Sequence, residues 1–258
     1  EREPAPRGER EPAPRGEREP APRGEREPAP RNVREAALAG VREATDAAGA
    51  CRGADVVLSV NSAADALDAL RQGLPGCRPG TVWAELNTAA PAVKLQAAAI
   101  AAGVGVEVVD VAIMAPVPGR DLRVPMAASG PTASRFRDLI NAYGAEVTVV
   151  DGPVGAAATR KLLRSVFYKG LAAAAVEALA AARAAGLEDW LDGNIRAELA
   201  RADAGTLDRL THGSLAHARR RVDEMAAAAD LLDDLGVPAR VARASRDWLT
   251  DLAGPTAT

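Results

Sequence analysis

Between residues 54 and 150, short and nearly continuous apolar runs alternate with segments of helical periodicity. Strands that are buried on both faces of a parallel sheet read as continuous apolar runs, and the connecting helices cover the two faces. The runs predict strands at residues 54–61, 81–86, 106–113, 124–128 and 146–150. This part of the chain is therefore expected to fold as a parallel α/β sheet.

Helix signals fill the intervals between the strands. Ser62 has the position of an N-cap and Asp65 follows at N3, a variant of the capping box, which predicts a helix over 62–70. Proline at the start of a helix and glycine near its end predict a second helix over 91–103. A third helix is predicted over 131–143.

From Gly155 onward the periodicity is helical. The spacing of its apolar residues suits a bundle whose helices bury their faces against one another or against a second subunit. The predicted helices lie at 155–185, 188–199, from about 206, 214–235 and 239–252. We therefore expect a tail at 1–32, an α/β domain at 33–152 and a helical domain at 153–258.

The tail consists of the octapeptide Glu-Arg-Glu-Pro-Ala-Pro-Arg-Gly, repeated four times, with the last copy ending at Asn32. Each copy balances its charges, offers only alanine to a core and carries two prolines that block helices and sheets. The tail is expected to be disordered, although a partner-binding arm also fits the repeat. The chain begins at Glu1 rather than methionine, which fits both a fragment and a natural truncation.

Composition narrows the classes of protein to which the chain belongs. Its net charge of −3 and its aromatic content of 3% argue against nucleic-acid binding. No apolar run reaches the ~20 residues of a membrane span, so a soluble, cytoplasmic protein is expected. Cys51 and Cys77 have no histidine or cysteine at metal-ligand spacing, so we predict reduced thiols and no metal site.

Lys161, Ser165 and Tyr168 share one face of the first helix in the second half. The chain contains only three lysines, and the other two are Lys94 and Lys169. A partly buried lysine can release its proton, whereas arginine cannot. Lys161 is therefore either a titrating amine or a solvated lysine beside a packed face, and these residues alone favour the second reading.

Polar and loop-forming residues follow the predicted strands. In parallel α/β sheets, ligands bind at the carboxyl ends of the strands. Those ends are followed here by residues 60–61, 87–88 and 114–119. Each segment taken alone also reads as ordinary loop chemistry.

Taken together, these segments resemble the β-hydroxyacid dehydrogenases, the group that includes 3-hydroxyisobutyrate and 6-phosphogluconate dehydrogenases. Residues 54–60 look like the family's strand after the cofactor-binding half. Residues 79–91 resemble its Pro-Gly…Asp-x-Ser-Thr-x-x-Pro element, and residues 109–119 are similar to its Asp-Ala-Pro-Val-Ser-Gly-Gly substrate loop. The resemblance implies a Rossmann-like fold that binds NAD or NADP.

The resemblance also implies roles for individual residues. Thr88 would approach the nicotinamide, and Val60, Asn61 and Asp65 would border the cofactor. The substrate loop would contain Pro118 and Gly119, and Pro118 stands where the family has serine. The family's Gly-x-Gly-x-x-Gly turn, which binds pyrophosphate, is absent before Val41, so the predicted Rossmann-like domain is truncated.

Gly155 and Lys161 repeat the family's Gly-x-x-x-x-x-Lys spacing at the start of the helix between its two domains. In the family that lysine is the catalytic acid/base, which implies the same role for Lys161. The two asparagines that follow in the family are Arg164 and Ser165 here, and both can still donate hydrogen bonds to a substrate.

Residues 168–171 and 217–225 resemble one branch in particular, the phosphogluconate dehydrogenase-like proteins with their own C-terminal helical domain. In this reading, His217, Arg220 and Arg221 bind an acidic substrate through arginine–carboxylate forks. An exposed basic helix face that pairs with neighbouring acidic residues explains them equally well.

The resemblance implies an NAD(P)-dependent oxidoreductase that oxidises a hydroxy acid by hydride transfer, with Lys161 accepting the hydroxyl proton. It also implies a homodimer joined through the helical domain. The rival hypothesis is a non-catalytic remnant that acts only as a helical dimerisation module, because the glycine turn is missing. The sequence leaves open both the substrate and the choice between NAD and NADP.

Overall fold

The five predicted strands form one sheet in the order β1-β2-β3-β4-β5 in a computed structural model, which describes residues 43–254. The tail predicted to be disordered, residues 1–32, lies outside the described residues. The strands span Val56–Ser59 (β1), Val82–Glu85 (β2), Glu107–Ile113 (β3), Pro125–Ser129 (β4) and Glu146–Val149 (β5).

The direction of the strands differs in part from the predicted parallel sheet. β1, β2 and β3 are parallel, but β4 pairs with β3 in the antiparallel sense, and β5 is parallel to β4. A parallel return requires a long crossover, usually a helix. The connection over residues 114–124 contains only the short 3-10 turn Asp121–Arg123, so the chain reverses directly into the neighbouring strand.

Among residues 43–254, four helices accompany the sheet: Ala47–Cys51 (α1), Ala66–Gly73 (α2), Pro91–Ala102 (α3) and Ala133–Asn141 (α4). Helix α2 begins later than predicted, because Ser62 does not cap it. The Ser62 hydroxyl accepts the N–H of Asp65 at 3.2 Å and donates to the Asp65 carboxylate at 2.6 Å, which closes a separate turn before the helix.

Both faces of the sheet are covered, as the continuous apolar runs predict. On one face Val82, Val109 and Val111 pack against Phe136 of α4. On the other face Trp83 packs with Leu70, Cys51 and alanines of α3. Gly73 is required here, because a Cβ at that position would lie 2.7 Å from the Trp83 ring.

The second half of the described chain is helical, as predicted. Its helices are Ala156–Ala184 (α5), Glu188–Arg201 (α6), Ala204–Ala216 (α7), Ala218–Asp234 (α8) and Arg240–Ala253 (α9). The helix predicted over 214–235 is interrupted at His217, whose φ of −123° and ψ of 24° are not helical. A small core that includes Leu232, Ala239 and Ala242 joins α8 and α9 to α5.

Helix α5 is, among the described residues, long and apolar enough to span a bilayer by length and composition, with a mean hydropathy of 1.3. This differs from the expectation that no apolar run reaches the length of a membrane span, and most of this apolar stretch is exposed. Its first turn lies on the sheet, with Ala157 and Ala158 buried. Further along, Glu177 accepts hydrogen bonds from three backbone N–H groups at the start of α9, at 2.7–2.8 Å. Helix α5 therefore contacts the sheet at its first turn and α9 through Glu177.

Candidate functional site

The beginning of α5 is bound to the sheet by two buried polar side chains. Asp110 of β3 accepts the N–H groups of Gly155 and Ala158 through Oδ2, at 3.1 and 2.9 Å. Ser129 of β4 donates its hydroxyl to the same oxygen and accepts the N–H of Ala157 at 2.9 Å. Three N–H groups that a helix leaves unpaired at its N-terminus are thus satisfied by the sheet.

Gly155 allows this approach because of its conformation and its size. Its φ of 101° is left-handed, and a Cβ there would lie 3.2 Å from the Cβ of Pro91, the first residue of α3. The start of α5 therefore lies against both the sheet and the start of α3.

Lys94 of α3 is fully buried beside two carboxylates. Its Nζ donates to the backbone oxygen of Glu85 at 2.6 Å and lies 3.5 Å from Glu85 Oε1 and 3.4 Å from Asp110 Oδ1. All three side chains are at most 1% exposed. A buried charge is tolerated only when it is paired, so this buried triad is a single electrostatic unit.

The buried triad carries more negative than positive charge. Within the described residues, neither Glu85 Oε2 nor Asp110 Oδ1 receives a hydrogen bond. Part of the excess is balanced by the N-terminus of α5, which points its N–H groups at Asp110. The buried triad and the start of α5 therefore stabilise each other.

Asn87 connects the triad to the carboxyl ends of β1 and β2. Its backbone N–H donates to Glu85 Oε1 at 2.9 Å, and its side-chain oxygen accepts the N–H of Asn61 at 2.7 Å. Its amide nitrogen donates to the Asn61 side chain and to Ser59. Among the predicted cofactor-binding residues, Asn61 is therefore held in place by hydrogen bonds to Asn87. Val60, which precedes Asn61, and Thr88, which follows Asn87, are both exposed.

Lys161 lies one turn after Ala158 on α5 and is half-buried. Burial lowers the pKa of its amine, and the positive charge of Lys94 lowers that pKa further. No metal-binding group of three or more His, Cys, Asp or Glu side chains occurs in the described part of the chain.

The other residues predicted around Lys161 divide into two groups. Ser165 is half-buried on the next turn of α5. Tyr168 is 52% exposed, and the Arg164 guanidinium stacks over its ring at 4.3 Å from the centroid. Arg164 and Tyr168 therefore interact with each other at the surface of the helix.

The remaining predicted site residues lie apart from the triad. Pro118 and Gly119 are exposed in the loop after β3, and Asp65 is exposed and bonded to Ser62. His217 lies between α7 and α8 and is exposed. No hydrogen bond or ion pair between the described residues joins any of these to Lys161.

Two arginines of α8 have different partners. Arg220 pairs with Glu224 one turn later, as the alternative of a basic helix face predicts. Arg221 is half-buried and donates to the Ser214 hydroxyl at 2.8 Å. It lines a groove of about 870 Å³, whose walls are mainly apolar and include Val166, Met225 and Trp248.

The sequence analysis did not reveal the buried triad, although it noted that the chain has only three lysines and that Lys94 is one of them. The available signal was the presence of charged residues inside apolar elements. Asp110 interrupts the valine-rich run of β3, and Glu85 ends the fully buried strand β2. Charged residues of this kind are almost never fully buried unless they are paired.

Residues 182–252 match the domain of unknown function DUF1932, which lies in the helical half of the chain. A protein of Methanothermus fervidus, described as an uncharacterized 28.5 kDa protein in a 7S RNA 5′ region, is 31% identical over 100 residues. That match covers 39% of this chain and 39% of the relative, so it spans about two fifths of the relative's length.

Solved structures resemble most of the chain. A conserved protein of unknown function, described as structurally similar to 3-hydroxyacid dehydrogenases, is 28% identical, with 87% of this chain and 85% of that chain covered and a TM-score of 0.52. An imine reductase from Myxococcus stipitatus in complex with NADP⁺ shares the fold at 20% identity, with 86% and 82% covered and a TM-score of 0.67. The chain therefore has a Rossmann-like sheet followed by a helical region that contains the DUF1932 match, and this fold is similar to that of the protein described as resembling 3-hydroxyacid dehydrogenases.

Proposed function

We propose that this chain is an NAD(P)-dependent oxidoreductase of the β-hydroxyacid dehydrogenase type, with Lys161 as its acid/base. The observation that carries the proposal is the half-buried Lys161 amine, whose pKa is lowered by burial and by the charge of Lys94. A general acid/base works best when its pKa approaches the operating pH. Arginine could not replace this lysine, because its guanidinium stays protonated.

The described residues fit one end of a nicotinamide cofactor better than the other. Exposed Asn61 and Thr88 follow the carboxyl ends of β1 and β2, and Asn87 holds Asn61 in place. These polar groups suit a nicotinamide and its ribose. Pyrophosphate binds best at a helix N-terminus that has no negative side chain. At the start of α2 the Asp65 carboxylate would repel a pyrophosphate. The proposal covers both NAD and NADP.

In the proposed reaction a side chain of this protein transfers the proton, and a bound nicotinamide would supply or accept the hydride. The Lys161 Nζ takes the proton of a substrate hydroxyl during oxidation and returns it during reduction. Asp110 and Ser129 fix the first turn of α5, so they hold the backbone from which Lys161 projects. The lowered pKa of Lys161 brings the deprotonation of its amine closer to neutral pH.

A hydroxy acid is the substrate class that we propose. The Arg220 guanidinium is engaged by Glu224, but Arg221 makes its side-chain contact with the neutral hydroxyl of Ser214. Arg221 therefore has a charge that a carboxylate can pair with, and a planar fork that can bind it in two places. The proposed role of His217 is to lie beside that carboxylate.

Fluorescence titration with NADH and NADPH tests cofactor binding. We compare this chain with one that carries a strand–glycine turn–helix unit before residue 54. We expect the extended chain to bind a nicotinamide cofactor and to oxidise members of a panel of hydroxy acids. Absence of binding by both chains would refute the proposed function.

The same extended chain tests the acid/base. Lys161→Met should lower turnover by about 10²–10⁴-fold, the usual contribution of a general acid/base. Lys169→Met is the matched control, because Lys169 lies two turns later and is exposed. Unchanged turnover in Lys161→Met would show that the lysine has another role.

We also propose a cytoplasmic homodimer that forms through the helical region. Large apolar side chains on α5 support it, since Leu163, Val166 and Val176 are 67%, 75% and 71% exposed. A surface with so many exposed apolar groups is typical of an interface. Sedimentation equilibrium should give a dimer, and Leu163→Glu together with Val176→Glu should give a monomer. A dimer without cofactor binding would favour the rival hypothesis of a non-catalytic dimerisation module.

A further inference from the structure

We propose that Lys94 is a positioning residue for Lys161: with Glu85 and Asp110 it forms the buried triad that holds the first turn of α5, and its ammonium group lies near the Lys161 amine. The role of Lys161 as acid/base rests on the proposed function. The coupling between the two lysines is a property of the free protein and stands apart from it.

A chain of contacts connects Lys94 to the first turn of α5, from which Lys161 projects. Lys94 lies 3.4 Å from Asp110 Oδ1, and Asp110 Oδ2 lies 2.9 Å from the N–H of Ala158. Lys161 follows Ala158 by three residues, which is close to one turn of helix. A shift of the triad would therefore move the base of the Lys161 side chain.

The electrostatic part depends on which charges lie near the start of α5. α3 contributes Lys94, which is its only charged residue, and β3 contributes Asp110. The strand β4 packs against α5 and has no charged residue, whereas Glu85 of β2 acts through its pairing with Lys94. On α5 itself, Arg160 and Arg164 are exposed near Lys161. The Arg160 guanidinium donates to the backbone oxygen of Ala156 at 3.1 Å, and that of Arg164 stacks over the Tyr168 ring. Burial and the charge of Lys94 are the causes that lower the pKa of Lys161.

The small number of lysines makes the coupling directly measurable. Reductive methylation with ¹³C-formaldehyde labels accessible amines, and only Lys161 and Lys169 among the three lysines are exposed enough to react. The two lysine methyl signals are assigned with Lys161→Arg and Lys169→Arg, and the α-amino group at the N-terminus gives a third signal that neither substitution removes. Their NMR shifts are then followed through the pH range around the ordinary lysine pKa. Lys169 serves as an internal reference in every sample.

Two substitutions should move the Lys161 midpoint in opposite directions. Lys94→Met removes a positive charge, so Lys161 should titrate at higher pH than in the wild type. Glu85→Gln removes a negative charge and keeps the side-chain oxygen that accepts the Asn87 N–H, so Lys161 should titrate at lower pH. The Lys169 midpoint should stay unchanged in both variants. A general loss of structure would not produce opposite shifts.

The outcomes separate this inference from the proposed function. A folded variant with an unchanged Lys161 midpoint, or shifts of the same sign in both variants, would overturn it. If Lys94→Met does not fold, Glu85→Gln decides alone, because it leaves Lys94 paired with Asp110. Opposite shifts in a protein that binds no cofactor would support the coupling of the lysines and refute the dehydrogenase role.

Discussion

Replacing Asp110 should weaken the attachment of α5 to the sheet. Two substitutions separate the effect of the lost hydrogen bonds from that of the lost charge. Asp110 is fully buried and accepts hydrogen bonds from the Ser129 hydroxyl and from two N–H groups of α5. It is also one of two carboxylates beside Lys94. Asp110→Ala removes all of these contacts, whereas Asp110→Asn keeps one oxygen acceptor and loses the charge.

The expected cost follows from these contacts. Removing one partner of a buried ion pair typically costs about 3–5 kcal/mol, and Asp110→Ala also leaves three donors without an acceptor. In a protein of this size about 1 kcal/mol corresponds to about 2–4 °C, so Tm should fall by about 6–20 °C. Asp110→Asn should cost roughly half as much, because one oxygen still accepts from α5.

Thermal unfolding followed by circular dichroism measures both variants. Asp138→Ala is the control, because Asp138 pairs with Arg137 on the surface of α4 and is 68% exposed. A surface pair of this kind contributes at most about 1 kcal/mol. If Asp110→Ala melted as the control does, or if Asp110→Asn and Asp110→Ala were equally unstable, the assigned hydrogen bonds would not hold α5.

Two further predictions concern the helical half and the glycines. Burial would raise the pKa of Glu177, but three backbone N–H groups of α9 outweigh it and lower that pKa. The stability that its carboxylate contributes is therefore present above the ordinary glutamate pKa and lost as pH falls through the lowered one. Glu177→Gln should cost about 1 kcal/mol at neutral pH in urea unfolding, and the difference from the wild type should shrink in acid. Gly76→Ala should destabilise the protein strongly, because the new Cβ would lie 1.8 Å from the backbone oxygen of Ala48. Gly170→Ala inside α5 should stabilise it by about 0.5–1 kcal/mol, because the new Cβ would have no atom within 4 Å. Equal midpoints of urea unfolding for the two variants would contradict both expectations.

The sequence predicted the elements of the fold well and their directions less well. Each strand was recognised because its residues are buried on both faces, which removes the alternation of polar and apolar positions. That same property says nothing about direction. The antiparallel entry of β4 depends on the connection 114–124, which is too short and too poor in helix signals for a crossover.

The candidate site was predictable at its surface but not in its interior. The spacing from Gly155 to Lys161 drew attention to the lysine on α5, and the strand ends drew attention to Asn61. The contacts of Lys94 with Glu85 and Asp110 join residues that are distant in sequence. A pattern read along one chain does not show which charged residues meet across a sheet and a helix.

The position of the buried triad argues for a role beyond stability. A buried ion pair usually contributes no more stability than apolar residues of the same volume would, because both charges must leave water. In this protein the charges that must leave water lie beside the start of α5, one turn before Lys161. An apolar replacement would pack the same space, but it could not accept the N–H groups of α5 or carry a charge near the Lys161 amine. The cluster is therefore best explained by what it does to that helix and its lysine, and the opposite shifts expected for Lys94→Met and Glu85→Gln measure that effect directly.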